Sequence, residues 1–318
     1  MTAPPPTGWD ALRGVLSRWG LGRNRYRVKP GLYGLGSPGP DAPVLVTANY
    51  KLSFDAVRRA MAGRDLWLLV LDTVGINVWC AAGKGTFGTD ELVIRVRSVG
   101  LGDKVRHRVL ILPQLGAVGV AGFEVAKRTG FKVVYGPVRV EALPAFLDRG
   151  MKALPEMRRV AFPLSERLML APLEFLQALR YFAVFLGLAA VWTLGRGGSA
   201  SDLASAAWPL LGSVVAGTVV VPGLLPWVPF RSFALKGWLV GLAWAGFVCW
   251  AKPAGLRMAG GQLLLLPAVS AFLALNFTGA STFTSQNGVN REIGLFARPM
   301  AASALAGAVL LILHGVRR

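Results

Sequence analysis

The stretch Leu66–Asp72, with the sequence LWLLVLD, decides the fold of the first half of this chain. It is a continuous apolar run rather than an alternation of apolar and polar residues. Such runs are typical of strands in parallel sheets that are covered on both faces. The stretch therefore predicts a central strand with helices packed on either side.

Strand and helix patterns alternate on both sides of this stretch. Further strands are predicted at Val44–Thr47, Arg108–Leu112 and Phe131–Tyr135, and helices at Phe54–Met61, from about Thr89, at Val120–Arg128 and at Glu141–Arg149. Ser53 is the expected N-cap of the first of these helices and Gly63 its stop signal. The alternation predicts an α/β domain of Rossmann-like or flavodoxin-like type.

The composition of the whole chain excludes several classes of protein. It has 35 Lys and Arg against 16 Asp and Glu, a formal charge of +19, 53% hydrophobic residues and only 16% charged residues. Soluble domains average about 25% charged residues, and disordered chains are poor in apolar ones. Two cysteines exclude a disulfide scaffold, and two histidines leave little for a His-based metal site. A basic chain invites nucleic-acid binding, but this hydrophobicity favours a lipid bilayer as the partner instead.

Charge divides the chain into two different halves. Residues 1–167 contain most of the charged residues of the chain. The remainder contains a series of uncharged apolar runs: Tyr181–Gly195, Leu203–Phe230, Gly237–Ala251, Met258–Asn290 and Pro299–Val316. These runs predict an all-α transmembrane domain of about five helices, with four or six left open by the prolines inside them. A large buried helical core is the alternative, but no polar faces remain to cover it. The expected organisation is a poorly structured leader at 1–43, the α/β domain at 44–160 and the transmembrane domain at 161–318.

The N-terminus does not have the continuous apolar core of a signal peptide. Basic residues precede the first apolar run, among them Arg158, Arg159 and Arg167. Because Lys and Arg favour the cytoplasmic side, we expect a multi-pass protein of the cytoplasmic (inner) membrane with its α/β domain in the cytoplasm.

Ligands of open α/β sheets bind at the carboxyl ends of the strands. In this chain those ends are Thr47, Asp72–Asn77, Pro113–Gly116 and Gly136–Pro137. Two segments fit the GxGxxG spacing of nucleotide-binding loops, Gly34–Gly39 and Gly83–Gly88. The first precedes its strand and the second overlaps another motif, so neither favours a nucleotide.

That other motif is Asn77–Lys84, with the sequence NVWCAAGK. Val78–Ala82 is expected to form one short helix that Asn77 caps and Gly83 ends. Cys80 then lies near the helix N-terminus, where the dipole favours an anion, and Lys84 shares its face if the turn continues. A lone cysteine is usually an unreactive, small apolar residue. We interpret Cys249, which lies inside an apolar run, in that way.

The motif resembles the cap helix of the mercury-methylating corrinoid protein family, HgcA. The resemblance continues through residues 85–93, 110–120, 130–139, 143–158 and 276–293, and so covers about residues 44–293. The α/β domain also resembles the corrinoid domain of the corrinoid iron–sulfur protein of acetyl-CoA metabolism. Val118, and the pair Asn290 and Arg291, depart from the commoner residues of the HgcA family.

The resemblance implies a cobalamin-type corrinoid whose cobalt has Cys80 as its lower axial ligand and catalytic residue. The corrinoid would be surrounded by the residues of the motif: Asn77, Val78, Trp79, Cys80, Ala81, Ala82, Gly83 and Lys84. Because they lie at strand ends, four further residues are candidates for binding it: Thr47, Gln114, Gly116 and Gly136. Asn77 and Lys84 could instead only cap the helix, and Trp79 could pack on the corrin or in the core.

The implied activity is transfer of a methyl group from methyl-Co(III) corrinoid to Hg(II), which forms methylmercury. A thiolate is a soft, strongly donating ligand, and it makes the methyl group more carbanion-like for a soft acceptor. Transfer of CH3⁻ would leave Co(III), which must be reduced by two electrons before the next turnover. One cysteine in the soluble half cannot hold an iron–sulfur cluster, so a separate reductant is required. The resemblance implies that a ferredoxin-like partner with two 4Fe–4S clusters (HgcB) is the reductant. It also implies that a methyltetrahydrofolate pathway is the methyl donor.

Two other functions remain open at this point. A corrinoid methyl carrier of one-carbon metabolism would keep Cys80 and the fold but use a different methyl acceptor. A transporter or membrane scaffold would need charges buried within the spans, and these are nearly absent from the sequence. The polar segment Asn276–Asn290 could line a polar path, or form the end of the fourth span and a cytoplasmic loop.

Overall fold

The computed structural model describes residues 7–22, 25–280, 283–284 and 286–316. The chain divides into two compact units, Met1–Val160 and Ala161–Arg318. The first unit is an α/β domain and the second is helical, which confirms the predicted fold class at that level.

A five-stranded sheet forms the centre of the first unit. Its strands are β1 (Gly31–Leu35), β2 (Val44–Ala48), β3 (Leu66–Leu71), β4 (Val109–Leu112) and β5 (Lys132–Tyr135), and their order is β1-β3-β2-β4-β5. Strands β2 to β5 are parallel, whereas β1 pairs antiparallel with β3 at the edge. The order of the parallel strands is the flavodoxin-like one, with its reversal between β2 and β4.

Helices cover both faces of this sheet. They are α2 (Lys51–Ala60), α3 (Val78–Gly83), α4 (Thr89–Ser98), α5 (Leu101–Lys104), α6 (Gly122–Thr129) and α7 (Leu143–Asp148). In β3, Leu68 and Val70 point into the core cluster that includes α2 and α7, while Leu69 and Leu71 point into the cluster with α3, α4 and α6. Both faces of the strand are buried, as the continuous apolar run predicted.

Several expected local details are wrong. The segment expected to be a poorly structured leader contains helix α1 (Gly8–Arg18) and strand β1. Because this segment is rich in glycine and proline, its sequence did not predict β1, a short edge strand that pairs on one side only. Ser53 is not an N-cap, because α2 begins at Lys51, three residues earlier than predicted, with Tyr50 at the cap position. Residues 140–142 form a 3-10 turn before α7, so the last predicted helix is shorter than expected.

Helix α1 is fixed to the sheet domain by an ion pair. Asp10 accepts a hydrogen bond of 2.7 Å from Lys51 Nζ and one of 3.0 Å from the backbone N–H of Thr7. The lysine first, and then the backbone donor, lower the pKa of the Asp10 carboxyl from its usual 3.8 to about 2. Since the folded-state pKa is depressed, the stabilisation is complete above pH 4 and is lost as the pH falls through 2.

We expect Asp10→Asn to weaken the docking of α1 by about 1 kcal/mol at pH 7, a modest value because the pair lies near the surface. Hydrogen exchange of residues 8–18 should be faster in the variant at pH 7, and the difference should disappear near pH 2. Asp41→Asn is the matched control, since its partner Arg106 and Asp41 itself are both largely exposed. A difference that persisted unchanged at pH 2 would show that the ion pair is not the cause.

The second unit consists of long apolar helices. They are α8 (Leu164–Gly195), α9 (Ala200–Val215), α10 (Val221–Leu224), α11 (Phe233–Ala251), α12 (Gly255–Asn276) and α13 (Gln286–Val316), and a π-helical segment at 216–220 joins α9 to α10. Five helices in the described part of the chain are long and apolar enough to cross a membrane, with α9 and α10 counted as one.

Two charged side chains in this unit form hydrogen bonds with backbone groups at the ends of helices. Glu292 accepts hydrogen bonds from Ser232 Oγ and the backbone N–H groups of Phe233 and Ala234, at the first turn of α11. Arg167 donates to the carbonyls of Pro222 and Gly223 at the end of α10. These are the helix-dipole positions that suit each sign of charge. They explain why the few charges of this unit lie beside apolar helices.

The run Met258–Asn290 is not one span. Helix α12 ends at Asn276, a 3-10 turn follows at 277–280, and α13 begins at Gln286, well before the predicted start at Pro299. Of the two options for the polar segment, the structure favours the end of the fourth apolar helix and a connection. Residues 281, 282 and 285 lie outside the described residues.

Candidate functional site

The strand order reverses between β2 and β4, and the carboxyl ends of the strands open there into a cavity of about 230 Å³. Ligands of flavodoxin-like sheets bind at this position. Among the predicted site residues, Thr47, Val78 and Gly136 line the cavity together. The rest of its lining is mainly apolar and comes from β2, α2, β4 and the segment that follows β5.

Helix α3 lies beside this edge of the sheet, and local sequence fixes its position. Asn77 caps the helix, since its Oδ1 accepts a hydrogen bond of 2.9 Å from the backbone N–H of Cys80. Ala81 and Ala82 are buried in the core, which anchors the inner side of the helix. Trp79 and Cys80 lie on the outer side, and both are exposed. The thiol is therefore presented on a rigid element and is accessible from outside.

Lys84 directly follows the helix. Its backbone N–H donates to the Cys80 carbonyl over 3.1 Å, so the helical turn continues to this residue, which the sequence had left open. Gly83 and Lys84 are both exposed, and an added Cβ at Gly83 would meet nothing within 4 Å. The outer side of α3 thus presents one thiol and one ammonium group next to open space.

The loop after β4 packs against α3 and the turn that follows it. Gly116 lies against the ring of Phe87, where an added Cβ would come within 2.6 Å. Gly119 is tighter still, because a Cβ there would lie 2.2 Å from the Phe87 carbonyl oxygen and 3.0 Å from Ala82 Cα. Gln114 accepts a hydrogen bond from Arg158. The loop thus supports α3 through Gly116 and Gly119, while its Pro113 and Leu115 line the cavity.

Sequence reasoning missed Asn49, which follows β2 at the switch point. Its Oδ1 accepts hydrogen bonds from the backbone N–H groups of Thr73 (3.1 Å) and Gly75 (2.9 Å) and from Thr73 Oγ1 (2.8 Å). Its Nδ2 donates to Asp72 over 3.0 Å. This one buried amide orders the turn that leads from β3 to α3, in which Val74 and Gly75 have positive φ. A polar residue directly after a buried apolar strand was the available signal.

We expect Asn49→Ala to loosen the turn and the cap helix together. The change leaves the buried N–H of Thr73 without its acceptor, which costs about 2 kcal/mol and corresponds to roughly 30-fold faster local opening. Hydrogen exchange of residues 73–84 is the measurement. Ser98→Ala, at the exposed end of α4, should leave that segment unchanged. Equal exchange in Asn49→Ala and the parent protein would contradict this role.

The sequence of this chain has relatives among known proteins. Residues 22–147, which include α3, match the family profile of the CO dehydrogenase/acetyl-CoA synthase delta subunit. The acetyl-CoA decarbonylase/synthase complex subunit gamma of Methanopyrus kandleri is 35% identical over 129 residues, which are 40% of this chain and 28% of the relative. The equivalent subunit of Archaeoglobus fulgidus is 32% identical over 129 residues, 40% of this chain and 27% of the relative.

A third relative carries the name of the cofactor class. The corrinoid/iron–sulfur protein large subunit of Moorella thermoacetica is 30% identical over 122 residues, which are 38% of this chain and 27% of the relative. This chain therefore spans less than a third of the length of these relatives. The family profile matches within its α/β unit, and the chain is similar in sequence to subunits of acetyl-CoA decarbonylase/synthase complexes and to a corrinoid/iron–sulfur protein subunit.

Proposed function

We propose that this chain is a membrane-anchored, corrinoid-dependent methyltransferase whose α/β unit binds the corrinoid and whose methyl acceptor is Hg(II). The observation that carries the proposal is Cys80. Its thiol is exposed on a short helix that Asn77 caps and two buried alanines anchor, beside the switch point of a flavodoxin-like sheet. The similarity to a corrinoid protein subunit supports the cofactor.

The residues present suit such a cofactor. A thiolate is a soft donor of the kind that binds transition metals, and Cys80 has the open outer side that a large planar ring requires. Trp79, on the same side, offers an exposed ring for packing. Thr47, Val78 and Gly136 line a cavity that can hold a substituent from the edge of the corrin ring. When bound, the corrinoid supplies a cobalt that carries the methyl group.

The residues of this chain would then have separate tasks. Cys80 would hold the cobalt through its sulfur. Asn77 would hold the backbone of Cys80 in place, and Asn49 would hold the turn before it. Lys84 would balance the negative charge of the thiolate. Gln114 and Gly116 would act through the loop that supports α3 rather than through the cofactor itself.

Hg(II) as the acceptor is supported by the motif Asn77–Lys84 and by the softness of sulfur as a ligand. A cofactor that delivers a methyl carbanion equivalent to Hg(II) would need two electrons before it could accept the next methyl group. The two cysteines of the whole chain are too few to ligate an iron–sulfur cluster, so a separate reductant is needed. We propose a ferredoxin-like protein with two 4Fe–4S clusters in that role, and a methyltetrahydrofolate-dependent donor of the methyl group.

The relatives favour a second candidate. They are named as subunits of acetyl-CoA decarbonylase/synthase complexes and of a corrinoid/iron–sulfur protein, which supports a methyl carrier of one-carbon metabolism with another acceptor. Both candidates keep the same cofactor and the same role for Cys80. Five helices among the described residues could cross a membrane, and they support a membrane anchor for either candidate. We propose the cytoplasmic membrane, because basic residues precede the first apolar run.

The acceptor is tested on the full-length chain in detergent or nanodiscs, loaded with a corrinoid that carries an isotopically labelled methyl group. With HgCl₂ added, we expect labelled methylmercury by mass spectrometry, in single turnover and without the reductant. Label that passes to a thiol or another carbon acceptor, with none on mercury, would instead establish the methyl carrier and overturn the mercury assignment.

A further inference from the structure

Helix α1 presents its apolar side to solvent. Trp9 is 71% exposed, Leu12 50%, Trp19 at the C-cap 42% and Val15 40%. These positions lie three or four residues apart, so they form one continuous stripe along the helix and its end. We call this stripe the outer face of α1. Surface helices of globular proteins normally turn such a stripe towards the core.

The inner face of α1 is small and polar. Asp10 pairs with Lys51, and the hydroxyls of Ser17 and Tyr50 lie 3.5 Å apart. Gly14 packs so closely that an added Cβ would lie 3.1 Å from Leu52 Cδ2. The Asp10 carbonyl also accepts a hydrogen bond from Tyr26. The helix is therefore fixed in an orientation that leaves both tryptophans outside, and rotation to bury them would break these contacts.

The charge around the outer face is strongly positive. Arg13 and Arg18 lie on α1 itself, and residues 1–29 contain six Lys and Arg but one acidic residue, Asp10. Asp10 is paired with Lys51, so the basic residues are not balanced locally. An apolar stripe with tryptophans beside basic side chains is the composition of helices that lie in the interface of an anionic bilayer.

We propose that the outer face of α1 is a lipid-binding surface that lies in the interfacial region of a bilayer containing anionic phospholipid. The described part of the chain has five helices that could cross a membrane, and these would hold α1 at a high effective concentration near that bilayer. Trp9 and Trp19 are the interfacial anchors, and Arg13 and Arg18 meet the headgroups. The α/β unit thereby has a membrane contact of its own, independent of the cofactor and the methyl acceptor.

The test uses the full-length chain with 5-fluorotryptophan in nanodiscs of phosphatidylcholine with about 30% phosphatidylglycerol. Trp9→Phe and Trp19→Phe variants assign the two fluorine signals. A doxyl group near the lipid headgroup should remove more than about half of the intensity of both signals, while a water-soluble nickel chelate should affect them weakly. Trp67, which is half-buried in the sheet unit and donates to the Gly39 carbonyl, should not respond to the doxyl group.

Three other outcomes would overturn the proposal. Quenching by the aqueous reagent alone would mean that the face is in water, and protection from both reagents would mean that protein covers it, whether this chain or a second copy. An equal effect in nanodiscs without phosphatidylglycerol would remove the role of anionic lipid. Arg13→Glu with Arg18→Glu should lower the lipid quenching at least about threefold, whereas Lys104→Glu with Lys127→Glu, exposed elsewhere on the unit, should not.

Discussion

Replacing Cys80 by alanine is expected to lower methyl transfer by at least about 100-fold while the protein still folds and inserts, because loss of a direct metal ligand should exceed the 10- to 100-fold effects of outer-shell residues. The thiol is exposed, so its removal leaves no cavity in the core. The bond from the backbone N–H of residue 80 to Asn77 does not depend on the side chain. Folding of α3 and function of the thiol are therefore separable in this variant.

Two further variants define what the sulfur does. Cys249→Ala, in helix α11, should leave transfer intact, since that thiol is half-buried within an apolar helix. Cys80→His keeps a ligand but a harder and less donating one, so we expect partial loss. Transfer is measured as labelled methylmercury per mole of bound cobalt, which separates chemistry from cofactor loading. Undiminished transfer in Cys80→Ala would refute the axial-ligand assignment.

Gly119→Ala is expected to have the second largest effect, and it acts on structure. The new Cβ would lie 2.2 Å from the Phe87 carbonyl oxygen and 3.1 Å from that of Ala82, and backbone atoms cannot turn away as a side chain could. The loop after β4 must then separate from the cap helix, at a cost of about 2–3 kcal/mol. Hydrogen exchange of residues 78–88 should accelerate about 30-fold or more, and corrinoid loading should fall with it.

Gly83→Ala is the matched control within the same motif. An added Cβ at Gly83 meets nothing within 4 Å, and the residue ends a helix, so exchange of residues 78–88 should stay unchanged. If the Gly119 variant exchanged like the parent protein, the loop would not support α3. If both variants lost protection equally, the effect would belong to glycine replacement in general and not to the contact with Phe87.

The order of elements in the α/β unit was accessible from sequence because each strand is a short apolar run. Leu66–Leu71, Val44–Ala48 and Val109–Leu112 all fall where those runs predicted strands. The edge strand β1 was missed, since GLYGL pairs on one side only and needs no long apolar pattern. Helix α1 was missed for a related reason, because its apolar residues face outwards and the protein core does not require them.

In the candidate site, features that depend on neighbouring residues could be predicted from sequence, and contacts between distant residues could not. The cap helix, its start at Asn77 and its end at Gly83 follow local rules that sequence makes visible. Asn49 could not be identified as the organiser of the turn before it, because its partners Thr73 and Gly75 are more than twenty residues away. Likewise, the tight contact of Gly119 with Phe87 exists only in three dimensions. The positions of Cys80 and Trp79 were expected, and their role with a cofactor stays a proposal.

The most direct test of the central claim is the cobalt coordination of the purified full-length chain, measured by X-ray absorption at the cobalt edge together with the visible spectrum. The account predicts one sulfur scatterer bound to cobalt in the parent protein and in Cys249→Ala. The same sulfur should be absent from Cys80→Ala at equal cobalt content. A cobalt with only nitrogen and oxygen ligands in the parent protein, or a sulfur signal that survives the loss of Cys80, would contradict the account.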